Sequence, residues 1–295
     1  MRLPLAFLLG IVLSCQPLQA QAQPQPQSLN WAIVPMPGIF NVEGGQPVSG
    51  ALYEATQLID AQMPEVQVRY QVMSLLRMRQ SLRKQLQLCS NGLLQTPARD
   101  KQGYFIPYLL STPMHLLVRQ PTLNQLLLEN GEVSLDWLFA NPYLRGAIAT
   151  ARQYPDDISA QLIKARDSGT LQELTGSLSG ENLLLMVSYH RLDYAFDYPM
   201  AYSEVASNYT LSDPLISVPL KESKELLPVG VYCPRTPWGL EMAKRIDLAV
   251  REATRNNQAF MALHQRWLPA EVYTRFTPQL LRFYEGRSAT ALSFE

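Results

Sequence analysis

Apolar and polar positions along the early part of the chain switch between two periods. Residues 29–35 (LNWAIVP) read as a buried strand, and Gly38, Gly44 and Gly45 punctuate the loop that follows. Over residues 50–63 the apolar positions Leu52, Ala55, Leu58, Ile59 and Met63 recur at helical spacing. Residues 66–73 (VQVRYQVM) alternate and predict a strand. Residues 74–87 return to the helical period and carry Arg77, Arg79, Arg83 and Lys84, which read as a solvated face, with a partner surface as the alternative. Leu88 and Cys89 begin another strand. Strand, helix, strand, helix, strand is the rhythm of a parallel sheet built from βαβ units.

The rhythm then repeats. Residues 114–119 are an apolar strand, 135–144 irregular or helical, and 145–151 (RGAIATA) a strand. A helix over 156–168 opens on the pair Asp156 and Asp157, as acids favour a helix N-terminus. Residues 181–190 are helical, 193–197 (DYAFD) and 216–219 extended, and 226–233 (LLPVGVYC) a strand. Two strongly periodic helices follow over 238–256 and 258–267. No tandem repeat is present. The pattern is α/β, and periodicity alone allows more than one such fold.

The N-terminus reads as an export signal. Met1-Arg2 is a short positive region, residues 3–14 are apolar but too few to span a bilayer, and Ala20-Gln21-Ala22 is a small-residue cleavage site. Residues 1–22 are therefore expected to be a signal peptide, and residues 23–28 a Gln/Pro linker, leaving a periplasmic protein. A competing reading takes Val12-Leu13-Ser14-Cys15 as a lipobox, with Cys15 acylated.

Charge narrows the partners. The chain of 295 residues has 25 basic and 25 acidic side chains and no basic stripe, which argues against nucleic acid. No apolar run after the leader is long enough for a membrane span. Outside the leader the cysteines are Cys89 and Cys233. An even count in an oxidising compartment favours one disulfide, with two buried thiols as the alternative. His115, His190 and His264 are scattered without metal-ligand spacing, so neither metal nor cofactor is expected. Serine-elbow, zinc-protease, P-loop and dinucleotide motifs are all missing, so an enzyme would need a site assembled from distant residues.

The segment from Cys89 to Pro113 narrows the field further. It holds a strand-like end, the turn Thr96-Pro97-Ala98-Arg99, and Ser111-Thr112-Pro113 opening an apolar run. This resembles the ligand-gripping segment of solute-binding protein family 3, the type that feeds amino-acid ABC transporters, where Thr-x-x-Arg is followed by Phe-Ser-x-Pro. Thr96, Arg99, Ser111 and Pro113 match, and Leu110 stands in place of the Phe. Further along, His190-Arg-Leu-Asp-Tyr194 is similar to the family's Gly-Arg-x-Asp-Ala turn and strand. Cys233-Pro-Arg-Thr-Pro-Trp-Gly239 and Arg266-Trp267-Leu268 resemble its return strand and closing helix.

The resemblance implies the two-lobe periplasmic binding protein-like II fold. Lobe one would comprise residues 29–112 and 231–295, lobe two residues 113–230, with hinge crossings over 111–117 and 227–232. It also implies a ligand site. Arg99, with Thr96 and Asn91 on the same segment, would hold an anionic group, for which a guanidinium fork is suited. Phe40 would pack on the ligand, with Met36 and Tyr53 as further wall candidates. From lobe two, Asp197 or Tyr198 would meet the ligand's ammonium, and Arg152 and Tyr154 would supply a second anion-friendly corner. Two departures stand out: Leu94 replaces the family's usual hydroxyl, and no Gly occupies the Arg152 corner. The implied function is capture of a small amino-acid-like or anionic solute, by a monomer, for a membrane permease. A sensory protein signalling to a membrane receptor is the alternative, and a periplasmic enzyme on the same scaffold ranks last.

Overall fold

A computed structural model describes residues 28–150, 152, 154–175 and 180–294. The expected signal peptide, the lipidation candidate Cys15 and linker residues 23–27 lie outside these, as do Ala151 and Gln153. Ser28, taken above as linker, already belongs to the first strand.

The chain first lays down β1 (Ser28–Ile33), a hairpin of β2 (Asn41–Glu43) and β3 (Gln46–Ser49), α1 (Ala51–Asp60), β4 (Gln67–Val72), α2 (Leu75–Arg83), β5 (Cys89–Leu94), α3 (Pro97–Asp100) and β6 (Gly103–Ser111). It then crosses to β7 (His115–Val118), α4 (Gln120–Leu123), β8 (Leu128–Glu129), β9 (Glu132–Val133), α5 (Leu135–Ala140), β10 (Gly146–Ala149), α6 (Asp156–Asp167), β11 (Gln172–Leu174), α7 (Glu181–Ser188), β12 (Tyr194–Asp197), α8 (Pro199–Asn208) and β13 (Ile216–Pro219). The return comprises β14 (Leu227–Pro234), α9 (Pro237–Arg255), α10 (Asn257–Trp267) and α11 (Ala270–Ala289).

Two five-stranded sheets result, in the orders β4-β1-β5-β14-β6 and β11-β10-β12-β7-β13. In each, the strands at one end run parallel, and one long-range strand enters antiparallel: β14 between β5 and β6, β7 between β12 and β13. This is the two-lobe α/β architecture that the resemblance implied. The chain passes between the sheets through residues 112–114 and 220–226. Pairing of β14 in sheet one begins at Leu227 opposite Ser111, so residues 227–230, placed above in lobe two, belong by pairing to sheet one.

Local chemistry explains the elements that hold the cleft. On α1, Ala51, Leu52, Ala55, Thr56 and Ile59 form one buried face. Two Thr-Pro pairs start helices in the same way. Thr96 caps α3 by accepting from the Arg99 N–H at 3.3 Å, and Thr236 caps α9 by accepting from the Gly239 N–H at 3.0 Å, each with Pro at the first helical position. The covalent tie is also here. Cys89 on β5 and Cys233 on β14 form a disulfide between neighbouring strands, with both residues fully buried.

The lobes touch at several points. Met200 of α8 packs into the core of lobe one, and Asn41 donates to Glu204 of α8 at 2.7 Å. On another side, Arg275 of α11 pairs with Glu132 of β9 at 2.7 Å, and Lys224 with the same carboxylate at 3.0 Å.

Two buried histidines make stability depend on pH. Burial lowers His264, which is hydrogen-bonded to the Tyr284 hydroxyl at 2.7 Å, to about 3. Burial, and then the Arg275 cation, lower His115 to about 4 against a smaller opposing pull from Glu132. Both are neutral when folded, whereas an unfolded histidine takes up a proton near pH 6.5. Their contribution is therefore intact above that pH and is lost as pH falls toward the folded values. Each is expected to cost on the order of 2 kcal/mol by pH 5. Urea midpoints measured from pH 7 to pH 5 should fall, and less steeply in His264→Gln; an unchanged slope would remove His264 from this account.

Candidate functional site

The candidate site is built where strand ends of both lobes face each other. In lobe one, β5 runs into the Thr96 cap, and the Arg99 side chain folds back so that one guanidinium nitrogen donates to the Leu94 carbonyl at 2.7 Å. The turn is pinned to β14, because the Thr96 N–H donates to the Tyr232 hydroxyl at 3.1 Å and that hydroxyl donates to Asp100 at 2.6 Å. Burial, and then the neighbouring Arg79 cation, lower the pKa of Arg99. Both causes disfavour the guanidinium charge, against smaller opposing pulls from Tyr232 and Asp156.

Behind the turn, Asn91 is buried in a chain of polar groups. Its amide donates to Thr56 Oγ1 at 3.0 Å, and its oxygen accepts from Tyr108 at 2.6 Å. Gly92 has φ +78°, and a Cβ there would lie 2.9 Å from Leu52 and 3.0 Å from the Phe40 ring. Only glycine lets the strand pass this closely over Phe40.

In lobe two, Arg152 and Asp197 meet although they come from different strand ends. Arg152 Nη1 donates to Asp197 Oδ2 at 2.7 Å and Nη2 donates to Oδ1, a bidentate pair with both side chains buried. Asp197 also accepts from the Tyr198 N–H at 2.7 Å. The guanidinium stands 5.8 Å from the ring centroids of both Tyr154 and Tyr198, and the Tyr154 hydroxyl accepts from the Ala149 N–H at 3.0 Å. The glycine missing from the local sequence is supplied from elsewhere. Gly180, at φ +71°, lies so close that a Cβ would sit 1.9 Å from Arg152 Nη1.

A cavity of about 140 Å³ lies between the lobes. Its polar lining is Asn91, Arg99, Ser111, Arg152 and Tyr198, and most of the rest is apolar, with Val34, Met36, Phe40, Leu93 and Val229 among it. Five of the eight ligand residues expected from the sequence thus line one cavity: Phe40, Asn91 and Arg99 from lobe one, Arg152 and Tyr198 from lobe two. Asp197 is fully buried behind Arg152 and does not line it. Thr96 and Tyr154 instead line a wider opening of about 720 Å³, shared with Arg79, Arg83 and Arg166. The basic face of α2, read above as solvated, is exposed but also forms a wall of this opening. The opposite opening, about 860 Å³, carries Glu43, Glu181 and Glu204. Gly180 and the acidic opening went unnoticed in the sequence, because both depend on chain segments brought in from a distance.

No protein-family model matches the chain, and no curated protein matches it. Solved structures do. The probable amino-acid ABC transporter extracellular-binding protein of Bacillus subtilis is similar at TM-score 0.61 and 14% identity, covering 83% of this chain and 98% of its own. A structure from work on glutathione import through GshT and the cystine ABC importer TcyBC of Streptococcus mutans is similar at TM-score 0.63 and 12% identity, covering 84% and 100%. A histidine kinase sensor domain with similarity to periplasmic binding proteins follows at TM-score 0.59 and 16% identity, covering 82% and 96%. The chain therefore has the two-lobe fold found in amino-acid ABC transporter solute-binding proteins, at a level of identity that speaks to fold alone.

Proposed function

We propose that this chain is an extracytoplasmic solute-binding protein that holds a small ligand between its lobes and presents it to a membrane transporter. The observation that carries the reading is the interlobe cavity in which Phe40, Asn91 and Arg99 face Arg152 and Tyr198. A concave, mostly apolar site with a few convergent polar groups at a lobe interface is the usual form of a small-molecule site. The Cys89–Cys233 disulfide supports an oxidising compartment, in line with the expected signal peptide. Among the described residues no helix is long and apolar enough to cross a membrane. Arg99 holds the anionic end of the ligand, and Phe40 packs on its apolar part.

A second reading, a sensory protein that reports ligand state to a membrane receptor, is favoured by the likeness to a histidine kinase sensor domain. Adjacent permease and ATPase genes would support transport, and an adjacent sensor kinase would support signalling. Both readings require a ligand. A thermal-shift screen of the mature protein against amino acids, short peptides, polyamines and organic acids is expected to give a hit. A ligand at a hundredfold excess over its dissociation constant adds about 2.7 kcal/mol of stability. Arg99→Ala should abolish the shift; a shift of unchanged size would take Arg99 out of the site.

A further inference from the structure

We infer that the ligand is a monocarboxylate with a small apolar body and no α-ammonium group, such as an aryl or branched-chain carboxylic acid, rather than an α-amino acid. The inference rests on the interlobe cavity being the binding site and narrows what that site accepts.

Three observations lead there. First, an α-ammonium needs an acceptor close to the carboxylate, because a desolvated cation without a partner is costly. The acid that the resemblance offered for that role is Asp197. It is fully buried, and both its oxygens accept from Arg152, with Tyr198 N–H as a further donor. Gly180 closes over this pair, so a ligand ammonium would have to displace a buried guanidinium to reach the carboxylate. Among the described residues the cavity lining holds two guanidinium groups and no carboxylate.

Second, the size and lining fit an apolar body. A cavity of about 140 Å³ walled by Val34, Met36, Phe40, Leu93 and Val229 is close to the volume that holds one benzene molecule, roughly 150 Å³ in a core lined by similar side chains. Inorganic anions would leave those walls without partners.

Third, the surroundings orient the ligand. The cavity shares Leu93, Arg99 and Arg152 with the basic opening, and Val34, Met36 and Phe40 with the acidic one. A carboxylate therefore lies at the Arg99 end and the apolar body against Phe40. An α-ammonium sits on the carbon next to the carboxylate, so it would stay at the Arg99 end, while Glu181 and Glu204 line the acidic opening and not the cavity. Asp156 and Glu173 line the basic opening but not the cavity.

Matched pairs differing only in the amino group test this. Calorimetric titration of the mature protein would compare isovalerate with valine, and phenylacetate with phenylglycine, with isobutylamine and benzylamine as cationic controls. The carboxylates are expected to bind, at least about tenfold more tightly than their amino counterparts, which is the scale of one unsatisfied charged hydrogen-bonding group. The amines are expected not to bind. Arg99→Met should weaken carboxylate binding about tenfold or more in protein that remains folded. If valine or phenylglycine bound as tightly as its partner, this inference would fall and the solute-binding reading would stand. If neither class bound, and the broader screen also gave no hit, both would fall together.

Discussion

Removing the Cys89–Cys233 bridge, by reduction or by Cys89→Ala with Cys233→Ala, is expected to lower the unfolding free energy by about 5 kcal/mol in the chain-entropy picture. The size follows from where the bridge sits. The two cysteines are 144 residues apart, and the whole of the second sheet lies between them in sequence. The unfolded chain is thus held in a large loop that it would otherwise leave. In the folded state the bridged residues lie on adjacent strands, with Cα atoms 4.3 Å apart, so the tie needs no rearrangement of the sheet. Such a loss is a large share of the stability of an ordinary domain. The urea midpoint of the double alanine variant should fall well below that of the oxidised protein, and added reductant should not move it further. Equal midpoints for oxidised and bridge-free protein would mean that the bridge adds nothing.

How much of this was legible depended on whether the signal was local. The period of apolar positions locates α1, β4, α2, α9 and α10, because one face of each helix is buried and the apolar face of β4 is half-buried. The strand β6 was missed: Pro107 interrupts it, and it opens directly after the α3 turn. Proline is tolerated there because β6 is an edge strand and its pairing with β14 shifts register next to Pro107, where Tyr108 is the extra residue. The helix α11 was missed for a similar reason, since it contains Pro278 and scattered charge. Its place is fixed by tertiary contacts, including Arg287 donating to the Pro107 carbonyl at 2.9 Å and pairing with Asp247 at 2.6 Å.

The site shows the same divide. Arg99 and Thr96 could be read from a short motif, because the cap and the fork belong to one turn. In the sequence Arg152 and Asp197 read as separate ligand contacts. They are 45 residues apart and become partners only when β10 and β12 are paired in one sheet. The sequence marks Asn91 as a ligand contact, yet its side-chain amide bonds to Thr56 and Tyr108, which come from α1 and β6. A sequence names the groups that can bind a ligand. Whether they are already bound to one another is a property of the fold.

The Arg152–Asp197 pair gives the second large effect. Asp197→Ala is expected to destabilise the protein by about 3–5 kcal/mol, because it leaves a buried guanidinium without its carboxylate. Burial pulls the Arg152 pKa down, but attraction and hydrogen bonding to Asp197 outweigh this and leave it raised, so the cation persists at any ordinary pH. Arg152→Met should cost a similar amount, since it strands a buried carboxylate. The double variant Arg152→Met with Asp197→Leu removes both charges and replaces them with apolar volume. By the behaviour of other buried ion pairs it should regain most of the loss. Denaturant titration of the wild type, the single variants and the double variant would give the coupling between the two residues. A coupling near zero would show that the pair does not act as a unit, and would reopen Asp197 as a partner for a ligand ammonium. A large coupling would show that the pair acts as a unit, with the Asp197 carboxylate already occupied by Arg152.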